Sequence, residues 1–331
     1  MKIFLTGSEG FIGSHLAEKL VYKGHDVTCL VLYNSFNSWG WLDHVDKKIK
    51  KNFEVITGDI RDEYQIRKII KKKFDVVINL AALIGIPYSY RASKSYFDTN
   101  LYGLMNLLNS VRDFGVKKLI HTSTSEVYGT PYSIPIKESH PLIGQSPSPA
   151  SKIAADQLAI SYEKSFGLPI TILRPFNTYG PRQSARAIIP TIISQILKKN
   201  IINLGSLHPT RDFTYVEDTV DGFIKSIPGK KNIGETINIG SGFEVSVKQL
   251  VHKISKLIGK KVKIKSQKDR LRPETSEVYR LCAHTSKAKK IIGWMPKHSS
   301  PKGFEKGLLK TIAWFSKKEN LNFYKKNIFL D

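Results

Sequence analysis

The chain has 331 residues, 41% of them hydrophobic, enough to bury a large core, which excludes an intrinsically disordered protein; at this length one large domain plus a second lobe is expected. Its 52 Lys+Arg against 28 Asp+Glu give a net charge of +24, but the lysines are scattered through Lys47 to Lys51, Lys71 to Lys73, Lys198, Lys199, Lys260 and Lys261. That charge invites a nucleic-acid reading, but with the lysines scattered and no aromatic-interleaved basic stripe they read as solvated surface charge, no nucleic-acid partner is expected, and the basic surface suits attraction of a small anionic ligand such as a nucleotide diphosphate.

The longest nearly apolar stretch, Val76 to Ile86, is well short of a bilayer span, so no membrane partner is expected. The opening Met1 to Gly7 meets a glycine before a secretory apolar segment could form, and a cytoplasmic protein is expected. Cys29 and Cys282 lie in no CxxC or Cys/His cluster, so the expectation is reduced thiols and no metal site.

Lys2 to Thr6 reads as a short apolar strand, followed by Gly7-Ser8-Glu9-Gly10-Phe11-Ile12-Gly13 and an amphipathic helix from Ser14 to Tyr22. Further strands are predicted at Asp26 to Leu32, Phe53 to Thr57, Asp75 to Leu80, Lys117 to Thr122 and Leu168 to Arg174, with helical patterns between most of them. Such alternation predicts an α/β protein with a Rossmann-type, doubly wound parallel sheet covered on both faces, here over residues 1–174. After Arg174, proline and glycine interrupt the chain repeatedly. Helices at about Ala187 to Lys199, Ser246 to Leu257 and Lys302 to Phe315 alternate with short strands. This predicts a smaller mixed α/β substrate lobe over 175–331, with a partial return to the first domain near 203–240.

A glycine triplet between a first strand and a helix sits where a dinucleotide-binding turn needs it. Gly7 would make the tight turn, Gly10 would let backbone approach a pyrophosphate, and Gly13 would let the helix pack closely. Asp59, after the third strand, is suited to the adenine edge, although a turn or cap aspartate reads the same way. The second strand ends Cys29-Leu30-Val31-Leu32-Tyr33-Asn34-Ser35, with neither a carboxylate for the ribose 2′-hydroxyl nor an arginine for a 2′-phosphate. The reading leans to NAD and leaves NADP open.

These residues, with Asn79-Leu80-Ala81-Ala82, Ser123-Thr124-Ser125-Glu126-Val127-Tyr128-Gly129, Ser151-Lys152, Arg174-Pro175-Phe176-Asn177-Thr178-Tyr179-Gly180, Arg211-Asp212-Phe213-Thr214-Tyr215 and Asn238-Ile239-Gly240, resemble the extended short-chain dehydrogenase/reductase family over nearly the whole chain. Segments 33–41, 86–90 and 270–274 look like the branch of nucleotide-activated N-acetylglucosamine 4,6-dehydratases associated with legionaminic acid synthesis, hence with cell-surface polysaccharide. The resemblance implies a cofactor surface of Gly7, Gly10, Phe11, Ile12, Gly13, Asn34, Asp59, Ile60, Leu80, Ala81, Ala82, Asn100 and Lys152.

A 4,6-dehydratase oxidises the sugar at C4, which acidifies the C5 proton; a base removes it, the C6 hydroxyl leaves as water, and C6 is reduced. By resemblance Glu126 is the C5 base, Thr124 binds the C4 oxygen, and Ser125 stands where some relatives carry an acid assisting water loss. A polar cap would use the same Thr-Ser-Glu run. Glu126 argues against a simple C4 epimerase and leaves a nucleotide-glucuronate decarboxylase open.

The family places a tyrosine four residues before the lysine, one helical turn away. Here that position is Ser148, a poor base by itself, and Ser148-Pro149 reads as an N-cap followed by proline at the first helical position. Three explanations stand: a relay through Thr124, water or Glu126; altered or lost catalysis on a retained fold; or changes introduced at this loop.

For the nucleotide sugar, resemblance places Asn177 on the phosphate or sugar and Arg211 and Arg272 on the diphosphate, a task suited to paired guanidinium donors. Ile188 and Asn238 are weaker nucleotide contacts. Helices at about Ser95 to Phe114 and Pro149 to Phe166 match those of a family dimer contact. Leu101, Leu104, Leu108 and Val111 give the first an apolar face that either makes a homodimer or covers the sheet.

Overall fold

The computed structural model describes residues 1–267 and 270–324; residues 325–331 of the expected second lobe lie outside them. The strands are β1 Lys2–Thr6, β2 Asp26–Leu32, β3 Phe53–Gly58, β4 Val76–Asn79, β5 Lys118–Thr122, β6 Ile170–Pro175, β7 Asn177–Tyr179, β8 Ile201–Leu204, β9 Thr210–Tyr215, β10 Thr236–Ile239, β11 Glu244–Ser246, β12 Lys263–Ser266 and β13 Arg280–Leu281. Seven of them form one parallel sheet in the order β10-β6-β5-β4-β1-β2-β3. The chain winds outward from β1 to β3, then resumes at β4 on the other side of β1. This reversal leaves a crevice beyond the carboxyl ends of β1 and β4, where open α/β sheets bind ligands.

Strand alternation decides which residues cover which face. Ile3 and Leu5 pack with Leu16, Leu20, Val220 and Phe223 on one side, while Phe4 packs with Val77, Leu119, Leu104 and Leu108 on the other. Each such buried side chain stabilises the fold by about 1.5–3 kcal/mol. Leu104, Leu108 and Val111, the stripe offered as either a dimer face or a cover for the sheet, are buried in the core with Phe4, Val77 and Leu119, and Leu101 is half-buried.

The second lobe carries β9 with β11, β13 and β7 paired to it, and a separate β8–β12 pair. From residue 216 the chain runs against the main sheet: helix Val216–Ser226 covers it beside helix Phe11–Tyr22, and β10 extends it next to β6. Residues 203–215 stay with β12 and the second-lobe strands. No helix among the described residues is long and apolar enough to cross a membrane.

Candidate active site

The glycine turn is built by close approach. Gly7 has φ +66°, and a Cβ there would lie 2.7 Å from the Ala81 nitrogen; a Cβ on Gly13 would lie 2.1 Å from the Gly7 carbonyl oxygen. Side chains at either position are excluded, so β1, the loop after β4 and the first helix meet through backbone alone. Gly10 is the N-cap, and Phe11 and Ile12 open the helix rather than ending the loop, because the helical hydrogen bond from Ser14 already reaches the Gly10 carbonyl. Leu80, Ala81 and Ala82 line the other wall, with the Ala81 N–H donating to the Thr6 hydroxyl at 3.1 Å.

Other expected cofactor residues are committed elsewhere. Asp59 is clasped by Arg61 through its guanidinium and its backbone N–H at 2.9 Å, and the guanidinium holds the carboxyl below its ordinary range against partial burial, which raises it. Ile60 is buried in the core against Gly103, so its side chain does not line the crevice. Asn34 spends both ends of its amide on its own loop, accepting from Phe36 and Ser38 and donating to the Leu32 and Ser38 carbonyls. Asn100 is 1% exposed in a π-turn and brackets the Leu83 backbone while donating to Ser151 at 2.9 Å. It ties the loop after β4 to the lysine-bearing helix.

That helix is Pro147–Phe166 with Ser146 at the N-cap, correcting the expected cap at Ser148. The first-turn N–H groups of a helix have no intrahelical partner, so Pro147 and Pro149 break no ladder and Ser148 is helical despite the proline after it. Ser148 is 6% exposed one turn before Lys152. Lys152 is buried and donates to the Thr122 carbonyl at 2.8 Å; desolvation pushes its pKa down to about 8. Both lie beside the turn that carries the proposed base.

Thr124 caps a single 3-10 turn, Ser125–Tyr128, its hydroxyl oxygen accepting the Glu126 N–H at 3.2 Å. The capping reading of this run is thus realised, and the Thr124 O–H proton is left to donate. Ser125 is buried, whereas Thr124 and Glu126 are half-buried. The Glu126 carboxylate reaches across to Arg211, Oε1 to Nε 3.8 Å. Arg211 in turn pairs with Glu277 at 3.2 Å, and Glu277 with Arg272 at 3.7 Å. The two predicted diphosphate arginines therefore share one carboxylate that sequence reasoning missed, since Glu277 is brought to Arg211 only by the fold. The segment carrying it is moored to the first lobe by Tyr90 OH to Ser276 Oγ at 2.6 Å and by Gln145 Nε2 to the Thr275 carbonyl at 3.0 Å.

Asn177 opens β7 with a buried side-chain oxygen that has no hydrogen-bond partner among the described residues, as a ligand-binding amide would. Ile188 begins helix Ile188–Lys198 and is half-buried against the core. Asn238 is not brought to the cleft: it is fully buried in β10, accepts from the Tyr128 hydroxyl at 2.7 Å and donates to the Ile136 carbonyl at 3.0 Å.

Beneath the site a polar chain crosses the sheet. Thr6 bonds Asn79 at 2.7 Å, and Asn79 lies beside His121, whose Nε2 is 3.4 Å from Asp156. Asp156 accepts from Ser123 at 2.8 Å and Arg174 at 2.9 Å, and Arg174 reaches the Tyr128 hydroxyl at 3.0 Å. Burial pushes the Asp156 carboxyl up, but His121, Arg174 and Ser123 outweigh it and hold it below its ordinary value.

The residues fit a dinucleotide. The Gly7–Gly13 turn leaves backbone that only a Cβ would obstruct, a buried lysine donates to the Thr122 carbonyl at the carboxyl end of β5, and Glu9 of the same turn keeps a buried carboxylate oxygen without a partner among the described residues. Glu9 was also missed, since only the fold brings it to the Leu32 backbone at the end of β2.

Comparison with known proteins agrees. The chain is 34% identical over 334 residues to a UDP-glucuronate 4-epimerase of Thermodesulfobacterium geofontis, covering 97% of both chains. It is 33% identical to a UDP-N-acetyl-alpha-D-glucosaminuronate decarboxylase of Bacillus cytotoxicus, covering 96% of this chain and 99% of that one. The structure of a dTDP-glucose 4,6-dehydratase from Bacillus anthracis in complex with NAD superimposes with a TM-score of 0.83 at 28% identity, covering 98% of each chain. These relatives work on nucleotide-linked sugars by three different reactions. The GDP-mannose 4,6 dehydratase model matches residues 4–307, and the chain belongs to that family of extended short-chain dehydrogenase/reductases.

Proposed function

We propose that the protein is an NAD-dependent nucleotide-sugar 4,6-dehydratase that converts UDP- or GDP-linked N-acetylglucosamine to a 4-keto-6-deoxy sugar. The observation that carries this reading is the half-buried Glu126 carboxylate at the carboxyl edge of β5, held beside the arginine expected to grip the diphosphate. An epimerase that only exchanges C4 alcohol and ketone has no use for a carboxylate base there. The choice of sugar rests on the resemblance in segments 33–41, 86–90 and 270–274.

When bound, NAD supplies the reversible two-electron acceptor that oxidation at C4 and reduction at C6 require. Lys152 would hold the nicotinamide ribose hydroxyls. Thr124 would hydrogen-bond the C4 oxygen, whose hydroxyl proton leaves to solvent through water as C4 is oxidised; Glu126 would remove the C5 proton once C4 is a ketone and pass it to the C6 hydroxyl, which departs as water. Arg211 and Arg272 bind the diphosphate in place of their shared Glu277, while Asn177 orients the sugar or phosphate. Ser148 favours a second reading, a protein that binds NAD and nucleotide sugar with altered or lost turnover, because no phenol stands one turn before the lysine. The decarboxylase reading shares the same site.

Incubating cofactor-loaded protein with UDP- and GDP-linked N-acetylglucosamine tests this directly. A 4-keto-6-deoxy product from either supports it; folded, loaded protein that gives none from both refutes it. Carbon dioxide released from a nucleotide-linked uronate instead would select the decarboxylase.

A further inference from the structure

The end of β2 has no acidic residue of its own, yet the fold brings one there from the glycine turn. Glu9 Oε1 accepts the backbone N–H of Leu32, the last residue of β2, at 3.1 Å. Its other oxygen, Oε2, is buried without a hydrogen-bond partner among the described residues. The loop after β2 folds back over it: Trp41 N–H donates to the Glu9 carbonyl at 3.0 Å. Gly40, with φ +56°, lies so near that a Cβ would stand 3.1 Å from Glu9 Cβ.

Two other polar side chains near this point are occupied. Asn34 is bound into its own turn. Lys50 is paired with Asp43 at 3.4 Å and lies over the Trp39 ring, so it is not held ready for a phosphate.

We propose that Glu9 selects NAD over NADP, its unpartnered oxygen accepting the adenosine ribose 2′-hydroxyl and its charge opposing a 2′-phosphate. A carboxylate at the carboxyl end of β2 does this in dinucleotide-binding folds; here the same point in space is reached from the neighbouring strand's turn. Burial raises the pKa of the Glu9 carboxyl, and a hydroxyl donor on Oε2 would offset that penalty. Two anions brought together beneath a closed loop repel far more strongly than in open water. The inference rests on the dinucleotide part of the function proposed above and is independent of which sugar reaction follows.

The test is calorimetric titration of full-length, cofactor-stripped protein with NAD, NADP and 2′-deoxyadenosine NAD. Wild type should bind NAD about 100-fold more tightly than NADP, and the deoxy analogue about tenfold more weakly than NAD. Glu9→Gln, which keeps shape and an acceptor but not the charge, should narrow the NAD to NADP ratio by about tenfold or more, mostly by improving NADP. Equal affinity of wild type for NAD and its deoxy analogue overturns the role of Glu9 without any variant, as does an unchanged NAD to NADP ratio in Glu9→Gln. No affinity for NAD at all would overturn the dinucleotide reading as well.

Discussion

Glu126 and Arg211 face each other across the two lobes, carboxylate Oε1 to guanidinium Nε 3.8 Å, so the proposed proton acceptor and the proposed phosphate grip are in contact before any substrate is present. Replacing Glu126 by Gln keeps the shape and removes the base. Product formation should fall by about 10²–10⁴-fold with C5 proton exchange into solvent lost in parallel. A variant within tenfold of wild type in both measurements would remove Glu126 from the chemistry.

Ser148 offers a gain-of-function test. It sits one helical turn before Lys152, so Ser148→Tyr would place a phenol beside a buried amine that helps deprotonate it. The rate of the first oxidation, followed by single-turnover absorbance of reduced cofactor, should rise by about tenfold or more. An unchanged rate would mean that another group or bound water already takes the C4 hydroxyl proton.

Lys152 ties stability to alkaline pH. Burial lowers its pKa from the ordinary 10.5 to about 8, so between those values the unfolded chain holds a proton that the folded chain has lost. Stability then rises with pH through this window, and the penalty for burying the ammonium is complete below pH 8. Lys118, also lowered to about 8 by burial, adds a slope of the same sign, so the comparison must be between wild type and Lys152→Met. In urea melts of cofactor-free protein, the difference in unfolding free energy should move in favour of wild type by about 2–3 kcal/mol from pH 8 to 10.5. A constant difference would show that Lys152 is not desolvated.

The glycine turn separates folding from binding. Gly13→Ala sets a methyl 2.1 Å from a backbone oxygen with no flexible side chain to yield, and should destabilise the protein by at least about 2 kcal/mol in thermal melts. Gly10→Ala meets the Gly7 carbonyl at 3.3 Å, a milder contact. Its fold should survive while NAD affinity drops by about tenfold, because its methyl points where backbone must approach the pyrophosphate. Equal melting temperatures for the two variants would refute the geometry of the turn.

The first-lobe strands were legible because each is a short apolar run closed by a turn; β1 and β2 begin and end where the pattern places them. Lys152, Glu126 and the arginines were legible as motifs. Glu9 and Glu277 were not, since their importance comes from what the fold sets beside them: Leu32 for one, Arg211 and Arg272 for the other. Asn238 erred in the opposite direction. Its motif pointed to a ligand, and pairing of β10 with β6 buried it under Tyr128. The cap moved from Ser148 to Ser146 because a helix start tolerates prolines that a local reading treats as its boundary.

The mooring of the arginine-bearing segment by Tyr90 and Gln145 makes the lobes poor candidates for exchange as separate cassettes. A chimaera that grafts a relative's carboxy-terminal half onto this nucleotide fold would have to carry over residues 90 and 145 from the same parent. Otherwise the grafted half would bring its guanidinium groups along but lose the bolts that hold Glu277 and its neighbouring Arg272 against the nucleotide fold.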